Sequence, residues 1–261
     1  MGHIRVGVLP KYPRWKELMG YLGDPDISSW EIASKVIDNS KEMLDSDAVQ
    51  SALGYCVWFL AQLVLAARTE AFEIKLAQLG IRVSQRTSAS EFLAKVSHVT
   101  SRCISDLVPY SALNTIAGLS LREALTRTVG VQATTLFGAG LVDVQLALKK
   151  YSTQQRFSSL LHVFFTAFLC RTLRFIIEKE IANHLGPGKR FGSVQAITDF
   201  EGALEAFASQ TSRIVDEFSG GWYSKRIWQQ GDISESDAIR FVHVALEKLR
   251  ADLDLNEVCD A

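Results

Sequence analysis

Between Asp47 and Arg68 the chain runs for twenty residues without a charged side chain, AVQSALGYCVWFLAQLVLAA. As a helix rising roughly 1.5 Å per residue, this stretch is about 30 Å long, the thickness of a bilayer's hydrocarbon core. So much apolar surface has to leave water, either in lipid or inside a protein core. Gln50, Ser51 and Gln62 interrupt it, and no cluster of Lys and Arg marks a cytoplasmic flank. The apolar pattern also continues past Arg68 with ordinary amphipathic spacing. These features predict a buried central helix enclosed by the others, with membrane contact disfavoured.

Enclosing such a helix takes a long chain. With 261 residues, 48% of them apolar and only five prolines, this one can build a sizeable core. That composition excludes disorder as the resting state. A net charge of −1 argues against a protein built around polyanion binding, which carries a clear basic excess. The four cysteines, Cys56, Cys103, Cys170 and Cys259, lie far apart, so neither a CxxC redox pair nor a zinc knuckle is present. They are expected to be free thiols, mostly buried as small hydrophobes, in a reducing compartment. The N-terminal residues lack the apolar core of a secretion signal, and the expected location is the cytoplasm.

Ile4, Val6 and Val8 alternate with Arg5 and Gly7, which predicts a short strand over 4–9 closed by Pro10 and Pro13. Its candidate partner is 81–83, just after the helix stop at Gly80. The rest reads as helices near 29–45, 48–79, 89–107, 121–129, 141–150, 155–185, 194–218 and 235–253. Ser28 with Glu31, Ser88 with Glu91, and Ser120 with Glu123 each fit a capping box. Gly80, Gly186-Pro187-Gly188 and Gly220-Gly221 are the expected stops. Apolar residues at spacings of three and four mark buried faces: Phe157, Leu160, Leu161, Phe164, Phe165 and Phe168 on one helix, and Val194, Ile197, Leu204, Phe207 and Ile214 on the next. A third face comprises Ala238, Val242, Ala245, Leu246 and Leu249. The expected fold is mainly α, an elongated bundle or array of about eight helices with a short N-terminal strand. One helical domain over 1–261 is expected. The glycine-bearing stretch near 134–140 is the place where it could divide into an N-terminal half, 1–133, and a C-terminal half of three long helices, 141–261.

Catalytic signatures are missing: no GxSxG elbow, HExxH helix, or GxGxxG after a strand. Gly186-Pro187-Gly188-Lys189-Arg190 follows a helix and has the wrong spacing for a phosphate loop, so it reads as a helix terminator with two solvated bases. Glu180 and His184 stand four apart, whereas helical di-metal sites use Glu-x-x-His. No cofactor, metal or catalytic residue is expected from the sequence.

Two basic-aromatic clusters carry the functional expectation. Lys11, Tyr12, Arg14 and Trp15 follow the predicted strand. Trp222, Tyr223, Lys225, Arg226 and Trp228 fall after Gly220-Gly221, in a segment read as non-periodic that is expected either to fold back on the bundle as a cover or to present anchors to a partner. Trp, Tyr and Arg dominate interface hot spots, and an unpaired strand such as Ile4, Val6 and Val8 can add to a partner's sheet. The expectation is a non-catalytic helical protein-interaction module, an accessory or adaptor subunit of a multi-component cytoplasmic system, binding a protein partner or its own kind. One alternative is a nucleic-acid-binding accessory protein, possible but not favoured, using Lys11, Arg14, Lys16, Lys189, Arg190, Lys225 and Arg226. Another is a membrane-active helical effector that exposes the 48–67 helix.

Overall fold

The computed structural model describes residues 13–133 and 140–259. Within them the chain is an all-helical array. In order come α1 (Pro13–Gly23), α2 (Ser29–Asn39), α3 (Lys41–Leu44), α4 (Asp47–Ala66), α5 (Phe72–Gln78), α6 (Ala89–Leu107) and α7 (Ala112–Leu125). A π-turn (Thr126–Gly130) joins α7 to α8 (Val131–Ala133), followed by α9 (Leu141–Lys150) and α10 (Gln154–Ile181). A 3-10 turn (Ala182–His184) then leads to α11 (Val194–Thr211), α12 (Arg213–Gln230) and α13 (Glu235–Cys259).

Helices α4 and α10 are the two around which the others gather. α4 is covered chiefly by α13 and α7, and α10 by α12, α7 and α11, so α7 touches both. The uncharged α4 segment buries Leu53, Cys56, Phe59, Leu60, Leu63 and Val64 completely. On α10 the predicted stripe of Phe157, Leu160, Leu161, Phe164, Phe165 and Phe168 is likewise fully buried. Both the α4 helix and the Gln154–His184 run are long and apolar enough to cross a membrane, and most of the apolar window of each is buried inside the fold. Buried side chains from Trp15 to Leu249 form one hydrophobic cluster. Cys56 and Cys170 are buried in it, Cys103 is half-buried, and all three are free thiols.

Several helix boundaries follow the sequence signals. Ser28 Oγ accepts from the Glu31 amide at 3.1 Å, and Ser88 Oγ accepts from the Glu91 amide at 3.2 Å. Gly80 ends α5 with φ of +83°, where only glycine is free of Cβ strain. Other boundaries differ. Ser120 is no cap: it lies inside α7, and its hydroxyl donates to the Ile116 carbonyl at 2.7 Å. The helix starts earlier, where Ser111 accepts from the Asn114 amide. The single helix expected over 48–79 breaks after Ala66, where Thr69 Oγ1 donates to the Ala66 carbonyl. The helix expected over 29–45 breaks at Ser40, and that over 194–218 breaks at Ser212. Val194, read as core, is exposed at the first turn of α11.

The strand expected over 4–9 lies outside the described residues. Residues 81–83 form no strand, and among the described residues the only β pairing is an isolated bridge between Leu185 and Phe191. Pro13, expected to close the strand, is described within α1.

Gly220-Gly221 is the largest correction. Both residues sit inside α12, which runs on to Gly231, the true left-handed C-cap at φ of +71°. A Cβ on Gly220 would stand 2.8 Å from Gln154 Cγ and 2.9 Å from the Gln154 carbonyl oxygen, so this glycine lets α12 lie against the start of α10. Gly54 does the same where α4 crosses α13: its Cβ would stand 2.5 Å from Ile239 Cγ1 and 3.0 Å from Ile239 Cα.

Urea unfolding of adjacent glycine variants tests this packing. Gly220→Ala is expected to lose about 1–3 kcal/mol through overpacking. Gly221→Ala, with nothing within 4 Å of its Cβ, is expected to gain about 0.5–1 kcal/mol from helix propensity. Leu60→Ala is expected to lose about 2–5 kcal/mol. Equal effects at the two glycines would contradict the packing.

Candidate interaction surface

Helix α12 carries the second basic-aromatic cluster, and its helical periodicity sorts the cluster into inward and outward members. Tyr223 points inward. It is 2% exposed, and its ring stacks on Phe157 with centroids 4.0 Å apart. Burial pushes its hydroxyl pKa up. Trp222 is half-buried over Phe241, with centroids 4.4 Å apart. Arg226 turns to the neighbouring helix and pairs with Asp237 at 3.4 Å. Lys225 and Trp228 point outward, and Trp228 is 86% exposed.

Gly221, Lys225 and Trp228 stand at i, i+4 and i+7, so they share one face of α12. Two turns of helix put Trp228 about 10 Å along that face from Gly221. Gly221 in turn borders an open polar cleft of about 780 Å³ between α12 and the start of α10. Gln154, Ser158, Ser159, Arg213 and the acids Asp216 and Glu217 line it as well. Ser224 Oγ donates to Gln154 Oε1 at 3.3 Å, a further tie between α12 and the start of α10. The surface therefore offers one large aromatic, two cations (Lys225 and Arg213), two carboxylates and a row of neutral hydrogen-bonding groups.

The N-terminal cluster gives less. Ile4, Val6, Val8, Lys11 and Tyr12 lie outside the described residues, and Arg14 falls within α1. Trp15 is buried in the core and not presented at a surface. Nothing in the sequence around Trp15 separated these two fates, because a basic-aromatic run suits an amphipathic helix as well as an exposed arm.

The two bases of the Gly186–Arg190 loop are not simply solvated. Arg190 is a clamp: Nε donates to the Leu22 carbonyl at 3.1 Å, and Nη2 donates to the carbonyls of Asp24 and Ile27. It thereby satisfies carbonyls left open where α1 ends. Lys189 Nζ donates to the Asn183 carbonyl at 2.9 Å. His184, beside Gly23, has its pKa lowered by burial, against the pull of Glu180. His162 is hydrogen-bonded to the Ser209 carbonyl at 2.9 Å. Among the described residues no three His, Cys, Asp or Glu side chains gather as a metal site would require.

The charged groups that do converge brace helices. Asp237, 2% exposed, accepts from Ser234 Oγ at 2.7 Å while its own amide donates to that oxygen, so Ser234 caps the start of α13. It also accepts from Arg240 at 2.6 Å and faces Arg226 from α12. Glu123 holds Arg171 at 2.7 Å and Arg127 at 2.9 Å, and Arg127 reaches Glu205, which joins α7, α10 and α11. Arg250 on α13 forks onto both oxygens of Asp45. Set against known protein families, curated proteins and solved structures, the chain matches none.

Burial alone would raise the Asp237 pKa, but the Ser234 and Arg240 hydrogen bonds and the Arg226 charge outweigh it and hold the carboxyl below its ordinary value. The unfolded chain therefore binds the proton more tightly than the native one, and this contribution to stability is complete above the ordinary carboxylate range. It is lost as pH falls through the native value. Asp237→Asn is expected to cost about 2 kcal/mol near neutral pH and progressively less in acid. Urea midpoints of both proteins across that range check it, and a difference that stays constant would contradict it.

Proposed function

We propose that this chain is a protein-interaction module that docks a protein partner on the outward face of α12, with Trp228 as the anchor. The observation that carries the reading is Trp228 itself, 86% exposed in a helix whose neighbouring aromatics are all packed. A tryptophan in water costs the free protein solvation and repays it only when a partner covers it. The cleft further along the same face supplies polar groups for the margin of such an interface, and Lys225 on one side of Gly221 with Asp216 and Glu217 on the other offers charge of both signs for register. In this reading the chain serves as an accessory or adaptor subunit of a multi-component system. Its free thiols suit a reducing cytoplasm.

The nucleic-acid alternative is weakened by the bases it would need. Arg190 and Arg226 are held by internal partners, and Lys189 is tied to its own loop. The membrane alternative would require α4 to shed the cover of α13 and α7, with which it makes its most extensive contacts.

Trp228→Ala is expected to leave stability within about 0.5 kcal/mol of the parent, as surface changes do. Tyr223→Ala is expected to cost about 3–5 kcal/mol by opening the core. Quantitative affinity capture from the native cells, with parent and Trp228→Ala as paired baits, tests the function. The expected result is a partner whose recovery falls at least tenfold with the variant. Identical capture by both baits, or a variant that unfolds, would overturn the proposal.

A further inference from the structure

Arg213, Glu217, Gly221 and Lys225 recur every four residues along α12, so they form one ridge of the helix, and Trp228 stands just beyond its C-terminal end. All five are exposed. The charges are ordered about the glycine. Glu217 lies four residues before Gly221 and Lys225 four residues after, each roughly 6 Å away along the axis. Neither enters an ion pair among the described residues. Arg213 leans away from Glu217, with Nη1 donating to Gln210 Oε1 at 3.4 Å. A Cβ on Gly221 would meet nothing within 4 Å, so the ridge dips where the acid gives way to the base.

An acid on one side of a centre and a base on the other is a pattern that matches its own reverse. Helices pack most often with their i±4 ridges alongside each other, crossing at about 50°. When two copies of α12 do so in opposite senses about a two-fold axis at Gly221, positions four before and four after the glycine come side by side. Glu217 of each copy then meets Lys225 of the other, twice in one interface. Copies running in the same sense would instead set Glu217 beside Glu217 and Lys225 beside Lys225. Trp228, seven residues after the glycine, reaches toward the same distance before it on the other copy. There Arg213 and Glu217 line the cleft, and a guanidinium is within reach of the indole face.

We infer that the occupant of this surface is a second copy of the chain, paired antiparallel through α12 across Gly221. The inference rests on the α12 face being a docking surface and names what docks there. A contact of this kind is isologous and closes at two copies. An interface centred on one helix is small beside the roughly 1,200–2,000 Å² of stable complexes, so the dimer is expected to form in the micromolar range.

Sedimentation equilibrium of the purified full chain, from about 1 to about 500 µM, tests it. The parent is expected to reach a dimer and go no further, with weaker association at high salt. Glu217→Lys and Lys225→Glu are each expected to weaken self-association about tenfold or more, because each sets like charges together at both contacts. Mixed in equal amounts, the two variants are expected to pair with each other about as tightly as the parent pairs with itself, since one has bases at both contact positions and the other acids. That rescue also shows that both variants are folded. A parent that stays monomeric throughout, charge variants that dimerise undiminished, or a mixture that fails to pair would each overturn the inference. A monomeric parent whose Trp228→Ala form still loses a partner in capture from cells would overturn it and leave the docking face standing.

Discussion

Two helices with almost no way to face water, α4 and α10, set the terms for everything else in this protein. Each is apolar enough to enter a bilayer, and each is instead wrapped by amphipathic helices that turn their own apolar stripes inward. At about 25 cal/mol per Å² of apolar surface removed from water, wrapping of this kind is the dominant favourable contribution to folding. α7 touches both helices and so joins what would otherwise be two separate packing problems. The short elements, α1 to α3 and α5, then close the periphery.

Such wrapping demands that neighbours come close, and glycine and charge meet that demand in different ways. Gly54 and Gly220 remove a side chain where a second helix's backbone must pass. The charged clusters work at helix ends and crossings. Arg190 takes up the carbonyls at the end of α1, Asp237 ties the start of α13 to α12, and Arg250 ties α13 to Asp45. Gln62 adds a further tie, donating from α4 to Asp232 at 2.7 Å and to the Ile233 carbonyl at 3.1 Å in the α12–α13 turn. Lys189, Arg190 and Arg226, which a sequence reading would offer to a ligand, are thus spent on architecture, while Lys225 on the outer face of α12 is exposed.

The helical class, the α4 core and the α10 stripe were legible in the sequence because they rest on long periodic patterns whose physics is local. Caps such as Ser28 and Ser88 were legible for the same reason. The capping-box pattern at Ser120 misled because the same spacing occurs inside helices, where a buried hydroxyl can donate to its own i−4 carbonyl. Gly220-Gly221 misled because a glycine that ends a helix and a glycine that admits a neighbouring backbone look alike until the neighbour is known. Reading it as a stop made 222–228 a loop whose aromatics could either cover the bundle or meet a partner, and it gave no way to tell that Tyr223 belongs to the core. Trp228 survived as a surface candidate. Its exposure depends on the angle at which α12 meets α10, and that angle is not written in any short motif.

Native-state hydrogen exchange, resolved by residue across urea concentrations, tests the two-helix core most directly. The amides of Leu53–Val64 and Leu160–Leu173 should exchange only through global unfolding, with the highest protection in the chain and a shared dependence on urea. Exchange of either segment through a local opening, while the surrounding helices stay protected, would show that the apolar helices are not the core the others depend on.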